Sequence, residues 1–198
     1  MNSQLMGLVL IGFVLAVCIK MFLESDFYNL SCIISTVDGN KYCVRVKEKL
    51  NQQETVDLLA TITNKCKKVV GYMHSKYPDR DNVKRLVKNF NPLKVKEILP
   101  TSEFTAYSEN KGEKLAFCTT TKKDGGDLID ENTLMFVALH ELSHIASESI
   151  GHTDEFWENF KFIIKCADKA GLYSPIDYKK KPIQYCGMKI HDNPYFDL

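Results

Sequence analysis

The sequence predicts an α+β protein: one compact domain over residues 26–198, preceded by a transmembrane helix within residues 1–25. Three observations carry that expectation. An almost uninterrupted apolar run occupies the N-terminus. Two stretches rich in β-branched and aromatic residues each centre on a turn sequence. Between and after them lie segments whose apolar residues recur at helical spacing. With 198 residues the chain can bury one sizeable core and carry an appendage. Its formal charge of +1 gives no overall attraction to polyanions, so no nucleic-acid partner is expected.

Leu5 to Leu23 is apolar apart from Lys20 near its end. As a helix these residues span roughly 28 Å, the thickness of a bilayer's hydrocarbon core, and Lys20 can snorkel to the interface. A buried core helix and a cleaved signal peptide are the alternatives. No Lys or Arg precedes the run and no small-x-small cleavage site follows it, which favours an anchor. Lys20, Lys41, Arg45, Lys47 and Lys49 tilt the positive-inside count towards a cytosolic domain.

Ser31 to Val46 reads as a hairpin turning at Asp38-Gly39-Asn40. From Asn51 to about Tyr77, Val56, Leu59, Ile62, Cys66, Val69 and Met73 recur at helical spacing, and Pro78 ends the pattern. A shorter helix is expected over Asp81 to Phe90, with Pro92 and Pro100 punctuating the segment beyond it. The many Lys and Arg from Lys67 to Lys96 read as a solvated face, or else as a surface for anionic lipid headgroups beside the anchor. Thr105 to Thr121 reads as a second hairpin, turning at Glu109 to Gly112, with a loop at Asp124 to Asp127.

The next helix is expected from Glu131 to about Glu148, capped by Asp130. Leu134 to Leu139 is apolar on every side, so this helix should be buried. It carries His140-Glu141-Leu142-Ser143-His144. Two histidines four apart lie on one face, one turn above the other, so both imidazoles can reach one metal ion. Glu141 flanks that face, placed to take a proton from a water held there. Buried polar groups of this kind are costly without a partner, and a metal ion would satisfy all three at once.

A catalytic zinc site usually takes three protein ligands. His152 is the best third candidate, because Gly151 lets the chain turn back before Thr153 or Asp154 caps another helix. Phe156, Phe160, Ile163, Ile164 and Ala167 form the apolar face of that helix and Gly171 ends it. Glu158 or Asp168 is the alternative third ligand. Ser147 and Ile150 stand where the metzincin pattern needs Gly and His. His74 and His191 read as surface or capping residues. The C-terminal segment Pro182 to Tyr195 is a candidate flap over the cleft. Tyr173, Tyr178 and Tyr185 are the candidate donors to a developing oxyanion; no spacing rule selects one, and Tyr185 is preferred. Seven cysteines with no C-x-x-C pair disfavour a zinc ribbon, and free buried thiols are slightly favoured over disulfides.

His140 to His144, followed by Gly151-His152-Thr153-Asp154-Glu155-Phe156-Trp157, resembles the WLM and SprT-like zinc metalloproteases, including membrane-anchored, virus-encoded proteins of that kind. The resemblance implies a zincin-like core: a small antiparallel sheet over the motif helix, with an edge strand aligning a protein or peptide substrate. It implies Zn2+ held by His140, His144 and His152, with Glu141 as general base. Thr153 stands where SprT proteins often have Gly, and their longer gap before the third His and their zinc ribbon are lacking, so roles in crosslink repair do not carry over. Two other readings stay open: a membrane or virion structural protein whose zinc is not catalytic, and a hydrolase of small amides.

Overall fold

The computed structural model describes residues 3–46, 51–123 and 125–197. The basic residues Lys47 and Lys49 and the loop residue Asp124 lie outside the described residues.

Helix α1 (Ser3–Leu23) matches the apolar run and is long and apolar enough to cross a membrane. None of its most apolar stretch is buried against the domain. A four-residue helix, α2 (Asp26–Asn29), connects it directly to β1 (Leu30–Ile34). Strand β1 pairs antiparallel with β2 (Lys41–Arg45), and Gly39 supplies the left-handed conformation (φ 71°) that closes their turn.

Helices α3 (Gln52–Lys76) and α4 (Asp81–Asn89) come next. The side chain of Asn51 caps α3, and its periodic apolar residues, Val56 to Met73, are all buried. Most of the basic residues from Lys67 to Lys96 face solvent. Arg85 and Lys96 are instead drawn into ion pairs with Glu155 and Asp26.

The chain then enters a three-residue strand, β3 (Val95–Glu97), parallel to β2. Parallel pairing requires a crossover, which α3 and α4 provide. The second hairpin, β4 (Ala106–Glu109) and β5 (Lys114–Phe117), completes a sheet of order β1-β2-β3-β5-β4. One register row crosses all five strands: Cys32, Cys43, Lys96, Ala116 and Tyr107. The sheet is therefore mixed, not antiparallel as expected. Its central strand carries no apolar run, because Lys96 and Glu97 are charged, and both are buried only because partners neutralise them. Lys96 pairs with Asp26. Glu97 accepts from the Arg45 guanidinium at 2.7 and 2.9 Å, from the Arg45 amide at 2.7 Å and from Thr119 at 2.6 Å.

Beyond β5, a short hairpin of β6 (Thr120–Lys122) and β7 (Gly125–Leu128) stands where a loop was expected. Helix α5 (Glu131–Ala146) ends two residues sooner than expected, and α6 (Asp154–Lys169) comes after it. A last hairpin, β8 (Ile183–Tyr185) and β9 (Met188–Ile190), turns at Cys186-Gly187, both with positive φ. Helix α5 packs against α3, α4, α6 and β4 and is buried on nearly every side from Thr133 to Leu139.

Four cysteines are paired, as Cys32–Cys43 and Cys118–Cys186, which corrects the expectation of free thiols. The expected first hairpin sets Cys32 opposite Cys43, whereas Cys118 and Cys186, 68 residues apart, are brought together by docking of the last hairpin, which sequence spacing does not report. Cys66 and Cys166 are buried free thiols and Cys18 lies on α1.

Candidate metal centre

The centre is built from the start of α5. Asp130 accepts a hydrogen bond from the Thr133 amide at 2.9 Å and fixes the first turn. The buried run Leu134 to Leu139 then holds the helix in the core, and its last turns deliver His140 and His144 to one cleft. After Ala146 the chain leaves the helix through an extended Ser147. Gly151 adopts a left-handed conformation (φ 83°), and Thr153 caps α6 by accepting from the Phe156 amide. His152 is thereby turned back onto α5.

The Nε2 atoms converge. His140 lies 3.2 Å from His144 and 3.0 Å from His152. A tetrahedral ion with Zn–N bonds of about 2.0–2.1 Å would hold neighbouring nitrogens roughly 3.3 Å apart, so the set fits a metal. Among the described residues, these three form the cluster of histidine, cysteine and carboxylate donors close enough to share an ion, all within 4.8 Å of one another. Of the alternative third ligands, Glu158 is exposed and Asp168 accepts from the Tyr195 hydroxyl at 2.7 Å. Neither joins the cluster. His74 is exposed on α3.

The surroundings favour neutral imidazoles, the metal-binding form. Burial, reinforced by His144 and His152, pushes the His140 ring down to about 3. Burial, His152 and Lys111 push His144 down to about 4. Phe156, fully buried, forms a shelf under the rings, stacked on His144 at 4.3 Å and edge-on to His152 at 4.7 Å. Trp157 packs on His152 at 5.8 Å.

Three side chains brace the loop that carries His152. Glu155 accepts from the amides of Glu148 and Ser149 at 2.8 and 2.9 Å. Arg85 donates to the Ala146 carbonyl at 2.9 Å and to Glu155 at 3.1 Å. Lys111, from the β4–β5 turn, donates to the carbonyls of His144, Ser147 and Ser149, placing a cation at the C-terminus of α5. That turn requires glycine at position 112, where φ is 113° and a Cβ would sit 2.7 Å from the Asn89 carbonyl.

Glu141 is buried beside His140, and burial pushes its carboxyl up to about 8 against the opposing influence of the Ser108 amide. Tyr185 is buried too and lines the same cleft. Its hydroxyl donates to the Thr105 carbonyl at 3.1 Å. Burial first, and the charge of Glu141 second, hold its proton well above the ordinary tyrosine range.

All these groups open on one cleft of about 1420 Å³. The edge strand β4 lines it together with Phe136, Val137 and Phe160. Met188 to Asp192 and Pro194 line it too, so the C-terminal segment does border the cleft. His191 lines the cleft too and is exposed, as expected of a surface residue, and it does not join the histidine cluster. The Cys186-Gly187 turn between two short alternating stretches is the sequence signal for the hairpin that leads to it.

Fold and site together define a class: a mixed α+β chain with an N-terminal apolar helix and three histidines able to hold a metal ion beside a long cleft. The chain is 27% identical over 176 residues to an uncharacterized protein of Acanthamoeba polyphaga mimivirus, covering 87% of this chain and 83% of that one. It is 36% identical over 101 residues to an uncharacterized protein of Invertebrate iridescent virus 3, covering 50% and 57%. A 69-residue stretch, 34% of this chain and 38% of its counterpart, is 36% identical to an uncharacterized protein of Invertebrate iridescent virus 6. No family profile and no solved structure matches the chain. The WLM and SprT-like resemblance therefore stays with the motif residues, while the similarity to viral proteins is consistent with a virus-encoded chain.

Proposed function

We propose that the protein is a membrane-anchored zinc metallopeptidase with a zincin-like core. The observation that carries this reading is the convergence of the His140, His144 and His152 Nε2 atoms at 3.0–3.2 Å, with the Glu141 carboxyl beside them in a cleft bordered by an edge strand. Zinc held there would supply a Lewis acid for the scissile carbonyl and would acidify water. Glu141 takes the proton of the attacking water and returns it to the leaving amine. Burial raises the proton affinity of Glu141, and the charge of a metal ion held by the three histidines would offset that and leave a carboxylate able to accept the proton. The free backbone edge of β4 aligns an extended peptide by strand addition. Tyr185 donates to the developing oxyanion by giving up its bond to Thr105.

The helix α1 is read as a single-pass anchor. The two disulfides support an oxidising compartment for the domain, against the basic-residue count, which favours the cytosol. A cleft of about 1420 Å³ exceeds the roughly 300–1,000 Å³ of small-molecule sites, which favours a polypeptide over a small amide.

The test is zinc content per chain, with cleavage of an unstructured protein as the activity. One zinc is expected, and Glu141→Gln is expected to keep it and lose cleavage. Cleavage that survives the substitution removes Glu141 from the mechanism. Bound zinc without proteolysis of any substrate favours the structural reading.

A further inference from the structure

The junction between α1 and the domain leaves almost no slack. Only Glu24 and Ser25 separate α1 from α2, and two residues reach at most about 7 Å. Both are held. The Glu24 amide bonds to the Lys20 carbonyl at 3.0 Å and the Ser25 amide to that of Phe22 at 3.1 Å, where the Ser25 hydroxyl also donates at 2.6 Å. The Asn29 side chain donates back to the carbonyls of Leu23 and Ser25 at 2.7 and 3.0 Å. Phe22 packs on Phe27 and Tyr28, and Asp26 pairs with Lys96 in the middle of the sheet.

The segment after β3 connects this junction to the cleft. Pro100 shares a crevice with Tyr28, Asn29 and Val46. Leu99 and Ser102 to Thr105, on the same loop, line one end of the metal-site cleft. The loop is pinned from both sides, by Lys123 donating to the Ser102 carbonyl and by Tyr185 donating to that of Thr105. Around the junction, exposed Glu24, Asp26 and Glu103 stand among large exposed apolar side chains: Phe27 is 85% exposed, Val46 72% and Phe104 63%. Apolar and aromatic side chains left in water beside a membrane-spanning helix match the belt that such proteins place at the interface.

Taking α1 as an anchor and the cleft as a peptidase site, we propose that the domain sits directly on the bilayer with the Phe104 end of the cleft at the headgroups. Its substrate is then the first stretch of another membrane protein outside the membrane. The cleft runs from Phe104 along β4 to Lys111 and Ile150, away from the anchor. Four residues of strand cover roughly 13 Å. A substrate chain rising from the same bilayer would therefore meet the metal centre within about ten residues of the surface.

Two measurements on the full chain in phosphatidylcholine vesicles test this. The first replaces the single tryptophan by Trp157→Phe and adds Phe104→Trp or, at the opposite end of β3, Leu93→Trp, where Leu93 is 77% exposed. Brominated lipid is expected to quench the first several-fold more than the second. Equal quenching, or none, overturns the seat, whatever the site does. The second compares, with the unmodified protein, one unstructured segment supplied free or joined to a membrane span by spacers of about 5 to about 30 residues, lengths set by the reach of an extended chain. Cleavage is expected to be fastest at short spacers and to fall at least tenfold at the longest. Zinc-dependent cleavage that is equal for free and tethered segments overturns the membrane substrate but leaves the peptidase reading intact. Cleavage of none of them removes both, while the quenching contrast still decides the seat.

Discussion

The Nε2 atoms of His140 and His152 lie 3.0 Å apart although the second residue is on neither the helix nor the strand that frames the first. What joins them is a braced loop. Lys111 and Arg85 hold its carbonyls, Glu155 holds its amides, and Gly151 supplies the turn. The arrangement makes the third ligand a product of several separate elements.

Removing that ligand should weaken the metal site without unfolding the domain. His152→Ala is expected to lose zinc at chelator concentrations that the unmodified protein tolerates, since His140 and His144 alone leave an incomplete set. A ligand at a hundred times its dissociation constant adds about 2.7 kcal/mol, and for a domain of this size each kcal/mol shifts Tm by roughly 2–4 °C. Thermal melts with and without chelator should therefore differ by several degrees in the unmodified protein and coincide in the variant.

Glu155 predicts a pH-dependent brace. Its carboxyl is pulled down to about 2, chiefly by the Glu148 amide and then by Ser149, with Arg85 adding a smaller electrostatic contribution. A depressed carboxyl stabilises the fold fully above its ordinary value of 4.5 and loses that contribution as pH falls towards 2. Glu155→Gln should thus be less stable than the unmodified protein at about pH 6, and the gap should close between about pH 4.5 and 2. Denaturant midpoints across that range measure it, and a gap independent of pH would remove the charge from the explanation.

Tyr185→Phe separates chemistry from support. If its hydroxyl reaches the oxyanion, kcat falls by about a hundredfold with zinc content unchanged, as for other single oxyanion donors. An unchanged kcat would confine Tyr185 to bracing the Thr105 carbonyl. Steady-state kinetics beside a zinc assay distinguish the outcomes.

The Cys118–Cys186 bridge ties the β8–β9 hairpin to the end of β5 across 68 residues. Replacing both cysteines by alanine should lower stability by about 4 kcal/mol on a chain-entropy basis. It should also loosen the hairpin that carries Tyr185. Denaturation with and without reductant is the readout, and reductant should affect the double variant less than the unmodified protein.

The buried pair of Arg45 and Glu97 lies beside that bridge, with the Arg45 guanidinium 3.8 Å from the Cys118 sulfur. Glu97→Ala leaves the Arg45 guanidinium buried without its carboxylate and should cost about 3–5 kcal/mol. Replacing the pair together by apolar residues of similar volume should cost less, which a double-mutant cycle measures.

Where local rules decide, the sequence was legible. The spacing of Val56, Leu59, Ile62, Cys66, Val69 and Met73 sets α3, and Asn51 starts it. Asp130 and Thr153 cap the two helices of the site, and His140, Glu141 and His144 share a face because four residues make about one turn. Gly151 before His152 marked the turn that returns the third ring. The sequence by itself therefore determined the apolar N-terminal helix, the helices of the site and the three histidines. Tertiary structure decided the rest: the parallel strand β3, whose Lys96 and Glu97 are buried only because Asp26 and Arg45 answer their charges, and the two disulfides. The reason is physical. Caps and periodicity act between residues a few positions apart, whereas burying a charge or pairing two distant cysteines gains its free energy from partners that only the folded chain brings near.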